Sequence, residues 1–356
     1  MKRLILALFI VLIVFMVIFL IYITDYFIIL NKVNKENTEN IKIENNTIDF
    51  SSLTLKQKIS QMILVRGDKE KDMEMTQLNI GGIFLDRQKS KQGYISLIKK
   101  YQDNSKIKLI VSSDMEGTWN PFAKFQNFPK FSEIKNREEA YKTGLEEGKL
   151  MKEVGFNLNF APVAEFSDEV YGGRVFSGSN NEIKEKLESY IRGLQENIRG
   201  ACKHYPGRGM IRNLHKWKDK QEITSEDIEL FDICFKNNIS AVMIGHQIVN
   251  GERNSEEMPS SVSEKVISSL NFSGLIISDE VNMLGLKRDY LFNKKKMYQE
   301  LINSGENLIL DFKLDKISLY RLVSDIEKQA YQGKINEKKI DESVKKILTF
   351  KGYKLD

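Results

Sequence analysis

The chain has 356 residues, with 54 Lys+Arg against 49 Asp+Glu and a formal net charge of +5. With 29% charged and 41% hydrophobic residues, it is neither an acidic disordered chain nor a multi-span membrane protein. Two cysteines, Cys202 and Cys234, are too few for a disulfide framework or a thiolate zinc cluster, and three histidines leave little room for a His-based metal site.

The first 30 residues differ from the rest. Leu4–Ile23 is an unbroken run of 20 apolar or aromatic residues behind Lys2 and Arg3. As a helix it reaches about 30 Å, the thickness of a bilayer core. It is longer than a usual signal-peptide core and lacks an A-x-A cleavage pattern, and no cysteine lies nearby for lipid attachment. The reading is a single N-terminal transmembrane helix over residues 1–30, with Lys2 and Arg3 cytoplasmic and the bulk extracytoplasmic. A cleaved signal peptide and secretion form the alternative. Residues 31–50, rich in Asn, Lys and Glu, read as a polar linker. Residues 51–356 are left as one barrel-sized domain. Lys294–Lys296 is a short basic stretch inside a helical pattern, so no nucleic-acid partner is expected.

Eight short apolar runs follow: 61–67, 81–86, 108–114, 158–163, 201–207, 241–247, 274–280 and 307–312. They read as buried parallel strands separated by amphipathic helical stretches. Asn136–Val154 precedes Gly155 and Asn181–Arg199 precedes Gly200, and both glycines suit helix C-caps. Ser225 opens another helix, with Asp227 and Glu229 in its first turn. This alternation predicts an α/β fold, a (β/α)₈ TIM-type barrel. A doubly wound open sheet is the alternative, without the G-x-G-x-x-G of nucleotide binding. Barrel chemistry gathers where strands end. That rule selects Asp114, Lys203, His204, His246 and Asp279.

These residues sit in segments that carry a family likeness. SSDMEG matches a D-x-E-G segment, GFNLNFAPVAEF a G-x-N-x-N-x-A-P-V segment, and RVF (174–176) an R-S-F stretch. KHYPGRG (203–209) matches a K-H-F-P-G-H-G loop, and GLIISDEVNM (274–283) a strand bearing a nucleophile. LTLKQKISQMILV and INEKKIDESVKKIL look like the opening and closing elements. In this order the motifs resemble the β-N-acetylhexosaminidases of glycoside hydrolase family 3, which act on peptidoglycan-derived sugars.

The resemblance implies retaining hydrolysis through a covalent glycosyl-enzyme, with Asp279 as nucleophile. A plain helix cap is the structural alternative for Asp279. The family's acid/base histidine follows an aspartate in D-S-H; here the tripeptide is Asn213-Leu214-His215. His215 is then the acid/base, since imidazole titrates near neutral pH, or an ordinary surface histidine. Asn213 accepts a hydrogen bond but brings no charge, with Asp219 or Glu222 as possible substitutes. Asp114 takes substrate hydroxyls, with Lys203, His204 and His246 beside it. Arg174 matches the family arginine. Lys124-Phe125 meets the basic-Phe pattern after a two-residue shift. Trp119 offers a sugar-stacking face or is a rim aromatic. Glu165, Arg208 and Asn307 stand where the family has Asp, His and Asp.

The expected function is a glycosidase releasing N-acetylglucosamine-type sugars from cell-wall glycans, held to the membrane by its N-terminal helix. A glycan-binding barrel with impaired catalysis is the alternative. A thinner reading transfers the sugar to phosphate, drawn by Arg208 and Arg212. No metal or organic cofactor is expected.

Overall fold

Eight short apolar runs become eight strands, each buried on both faces as parallel strands require. In chain order they are β1 Ile63–Arg66, β2 Gly82–Phe84, β3 Ile110–Ser113, β4 Leu158–Asn159, β5 Arg199–Tyr205, β6 Ala241–Ile244, β7 Leu275–Ser278 and β8 Ile309–Asp311. The computed structural model describes residues 2–36, 41–207, 212–250, 258–291 and 293–356. The strands pair in parallel in the order β7-β6-β5-β4-β3-β2-β1-β8. β7 and β8 then meet through Ser278 N–H to the Leu308 carbonyl (2.9 Å) and Val281 N–H to the Leu310 carbonyl (3.0 Å). The sheet is a nearly closed eight-stranded barrel, as the sequence predicts, and not an open doubly wound sheet.

Helices wrap it: α1 Lys2–Glu36, α2 Leu55–Gln61, α3 Lys91–Asp103, α4 Arg137–Val154, α5 Asn180–Gln195 and α6 Ser225–Lys236, followed by α7 Glu264–Ser268, α8 Leu284–Lys287, α9 Lys294–Ser304, α10 Lys316–Tyr331 and α11 Glu337–Phe350. Their starts carry side-chain caps at Thr54, Asn136, Ser179, Thr224 and Asp315, which satisfy the orphan N–H groups of the first turn. Gly155 closes α4 in the left-handed conformation, φ 107°, as expected. Gly200 does not cap α5. That helix stops at Gln195, and Gly200 lies in β5, where a Cβ would come within 2.8 Å of Ile239. Close strand packing, not helix termination, explains this glycine.

The linker over 31–50 also needs correction. Residues through Glu36 continue α1, and Ile43–Glu44 and Thr47–Ile48 form a hairpin to which Lys354–Leu355 adds a third strand. Asn45 and Asn46 have φ 49° and 63°, the two positive values a tight two-residue hairpin turn needs. Ile48 is fully buried. The Asn-rich composition that reads as a tether supplies the turn.

Cys202 of β5 and Cys234 of α6 form a disulfide across 32 residues of chain. In α1 the apolar side chains from Leu8 to Ile21 are exposed. Among the described residues, no helix is long and apolar enough to cross a membrane. The spanning helix expected over residues 1–30 is therefore not established by the fold.

Candidate active site

A cavity of about 430 Å³ opens at the C-terminal ends of the strands, the end where barrels of this kind place their chemistry. Phe84, Phe160, Met243, Leu310 and Phe312 give it apolar walls, with Phe84 stacked on Phe312 at 4.7 Å. Polar groups converge on it from seven of the eight strands or the loops after them. That mixture of apolar wall and few placed polar groups is typical of a small-molecule site.

Its cationic centre is Lys203, at the end of β5. The Lys203 Nζ sits 2.6 Å from Asp114 Oδ1 and 2.7 Å from Glu116 Oε2. Asp114 and Glu116 follow β3 two residues apart, so an extended chain turns both to the same side. Arg174 closes the network, with Nη1 3.3 Å from Glu116 and Nε 2.6 Å from Asp168. Burial alone would raise the Glu116 carboxyl and lower the Lys203 ammonium. Lys203 and Arg174 instead hold Glu116 below its ordinary value, while Asp114 and Glu116 hold Lys203 above its own. Glu116 is fully enclosed, but the Asp114 side chain remains 33% exposed to the cavity. Asp114 therefore faces a ligand, and Glu116 and Arg174 stand behind it.

Asp279, just beyond β7, faces the same space with its side chain 16% exposed. Burial pushes its pKa up, but His204, His246, the Glu280 N–H and Lys203 together hold it below the ordinary carboxylate value. Its Oδ1 accepts from Glu280 N–H at 2.7 Å, and its Oδ2 lies 3.9 Å from His204 Nε2. His204 is oriented from behind by Glu165, whose Oε1 meets both its backbone N–H (3.1 Å) and its Nδ1 (2.9 Å). Glu165 in place of an aspartate thus still reaches the ring. An ionised carboxylate with a free edge toward a sugar-sized cavity is equipped to act as a nucleophile.

His215 also lines the cavity, from the exposed turn after β5. Asn213 does not hold its ring. The Asn213 Oδ1 accepts the His215 backbone N–H at 2.9 Å. Leu214, buried against Met283, Val170 and Tyr171, docks this turn onto the loops after β4 and β7. Its carbonyl also takes Gly285 N–H at 2.8 Å. Neither Asp219 nor Glu222 lines the cavity. Arg212 is exposed and uses its backbone N–H on Asp219, and Arg208 lies outside the described residues.

Three expected positions move. Lys124 is exposed in the turn after Asn120 and does not line the cavity, because that turn folds Phe122 into the core instead. His246 is fully buried behind the site. Its Nε2 meets the Glu280 carbonyl at 3.1 Å and its Nδ1 meets Ser261 Oγ at 2.7 Å, so it braces the loop bearing Asp279 and does not line the cavity. Burial lowers its pKa, which keeps it a neutral donor. Asn307 lies at the opposite end of β8, where it takes Ile276 N–H at 2.9 Å and donates to Ser343 at 3.1 Å. Its departure is structural and distant from the cavity.

The structure also adds residues. Glu116, Asp168 and Tyr171 join the cluster, and Arg66, Asp86, Arg87 and Lys313 reach the mouth. Arg66 and Asp86 end the first two apolar runs and bond each other at 2.8 Å. The strand-end rule finds them when it is applied to all eight runs. Tyr171 has no such signal, because a loop with no periodicity carries it.

Comparison with known proteins agrees with this geometry. The chain is 27% identical over 212 residues to a beta-hexosaminidase of Idiomarina loihiensis, covering 53% of this chain and 63% of that protein. It thus spans less than two thirds of that relative. A family 3 beta-N-acetylglucosaminidase from Paenibacillus superposes with TM-score 0.75 at 21% identity, over 84% of this chain and 62% of that one. The beta-N-acetylhexosaminidase of Beutenbergia cavernae superposes with TM-score 0.74 at 18% identity, over 84% and 99%. The model described as the glycosyl hydrolase family 3 N terminal domain matches residues 54–350, most of the length. The chain belongs to glycosyl hydrolase family 3.

Proposed function

We propose that this protein is a retaining glycosidase that releases terminal N-acetylglucosamine-type sugars from β-linked cell-wall glycans. One observation carries the reading: an ionised Asp279 faces the cavity beside the Asp114–Lys203 pair, with His215 on the wall formed by the turn after β5. In the first step Asp279 attacks the anomeric carbon while His215 gives its proton to the leaving oxygen. In the second, His215 takes a proton from water, which displaces Asp279. Asp114 accepts sugar hydroxyls, and Lys203 fixes the direction in which it does so. The names of the relatives favour amino-sugar substrates.

The test is the full chain in detergent on a chromogenic N-acetyl-β-glucosaminide beside Asp279→Ala. Sugar release well above that background is expected. Release equal to it, across a panel of aryl sugars, would sink the reading. A second reading rests on the His215 ring, which has no hydrogen-bond partner among the described residues, and on the uncharged Asn213. It makes the barrel a wall-glycan receptor that binds without turnover. Glycan binding by both wild type and Asp279→Ala, with no release by either, is its signature. Release stimulated by added phosphate would instead mark transfer to phosphate.

The same proposal places the barrel outside the cytoplasmic membrane, with the N-terminal segment as its attachment. Support comes from the exposed apolar run Leu8–Ile21, from the basic Lys2-Arg3 start, and from the Cys202–Cys234 disulfide, which an oxidising compartment preserves. Recovery of the protein in the membrane fraction, with the barrel open to added protease in intact cells, is expected. Recovery from washed cytosol overturns it.

A further inference from the structure

The mouth of the cavity carries an aromatic group that the chemistry described so far does not use. Trp119 lines the cavity and is 43% exposed. Its backbone is fixed: the Trp119 carbonyl takes Glu116 N–H at 3.0 Å in a bridged turn. The indole is therefore displayed by the same turn whose Glu116 holds Lys203 in place. The ring also has a fixed neighbour. Tyr171 meets it edge-to-face, with centroids 6.2 Å apart and planes at 69°.

Tyr171 sets which side of the site this is. Its ring is engaged by Arg174, whose guanidinium lies 4.5 Å from the centroid, and it packs against Leu214 on the turn that bears His215. The acid/base must reach the leaving oxygen, so groups tied to that turn flank the leaving group. Trp119 packs on Tyr171, and its own faces have no stacked or cationic partner among the described residues. Pyranose rings present a face of C–H groups that suits a flat, partly exposed indole, in the way that aromatic walls line other small-molecule sites.

We propose that Trp119 is the stacking platform of the leaving-group subsite, so that this enzyme selects substrates whose leaving group is itself a sugar ring. The proposal rests on the glycosidase reading and adds the residue that holds the leaving sugar, which that reading does not name. The test uses the full chain in detergent with two substrates that share a glycone: a β-1,4-linked N-acetylglucosamine disaccharide and N-acetyl-β-glucosaminyl fluoride, whose leaving atom is too small to stack. Trp119→Ala should reduce kcat/KM for the disaccharide about tenfold, the loss of one well-placed ring contact, mainly through KM. The fluoride should change by less than about twofold, and Trp119→Phe should restore most of the disaccharide loss.

Equal losses on both substrates, or no loss on the disaccharide, overturn the platform while leaving the glycosidase intact. If the wild type cleaves neither substrate, the glycosidase reading falls. Isothermal titration calorimetry with the disaccharide then decides the platform: affinity weakened in Trp119→Ala supports it, and unchanged affinity overturns it.

Discussion

Two of the buried carboxylates are treated in opposite ways. At the barrel mouth Glu116 has Lys203 at 2.7 Å and Arg174 at 3.3 Å, and its pKa is held low. Between α4 and α5, Glu147 is just as enclosed, but its partner is the neutral Tyr190 hydroxyl at 2.6 Å. Burial pushes Glu147 up to about 8. These helices approach so closely that a Cβ at Gly144 would come within 2.4 Å of the Tyr190 carbonyl, and among the described residues no cation pairs with Glu147. A buried acid with cations on two sides stays charged and can organise a polar site; one facing only a phenol stays protonated and serves packing. Burial of an acid is therefore no functional signal until its partners are counted.

The largest expected effect is on chemistry. Asp279→Ala should lower kcat by at least ~10³-fold with the fold intact by circular dichroism; retention of a tenth of the activity would remove Asp279 from the role of nucleophile. Next comes the contrast in stability. Glu116→Ala leaves Lys203 and Arg174 buried with less countercharge and should destabilise by about 3–5 kcal/mol in urea titrations. Glu147→Gln keeps a hydrogen bond to Tyr190 and should be within about 1 kcal/mol near pH 5. Equal losses for the two would break the comparison.

The pH dependence separates them further. Glu116 has a lowered folded-state pKa, so its contribution is present above its unfolded value and is lost as acid protonates it. Glu147 has a raised one, so its contribution is complete below the ordinary 4.5 and is lost as pH rises toward about 8. That loss amounts to about 3–5 kcal/mol. Unfolding free energy measured from pH 4.5 to 8 should show this decline in wild type and not in Glu147→Gln; parallel curves would refute it.

Smaller effects concern the loop after β5. Asn213→Asp should raise kcat/KM by about threefold and move its pH profile upward, as a carboxylate beside the turn favours the imidazolium of His215. An unchanged profile means that Asn213 serves only the backbone. Lys124→Ala, outside the cavity, should leave KM within about twofold; a large increase would bring that turn back to the ligand.

Much of the site is legible because barrels place chemistry at strand ends. Asp114, Lys203, His204 and Asp279 each close an apolar run, and Arg174 sits in a recognisable motif. His246 also closes a run, yet its side chain turns behind the sheet to Ser261 and Glu280. Lys124 fails because a motif shifted by two residues no longer points the same way. The hairpin at Asn45-Asn46 was hidden by a composition shared with linkers.

The sequence alone determined the eight strands, the starts of α4, α5 and α6, and the acid at the end of β7. Apolar runs, caps and breakers act on neighbours a few residues apart, so their effect is local and readable. Only the tertiary structure decided which polar groups meet. Lys203 finds Asp114 across 89 residues, Arg174 finds Glu116 across 58, and Cys202 finds Cys234 across 32. Such meetings depend on closure of the sheet and on the path of each loop above it. For the same reason the histidine turn, whose residues the sequence displays, packs through Leu214 on Tyr171, a partner that no local pattern announces.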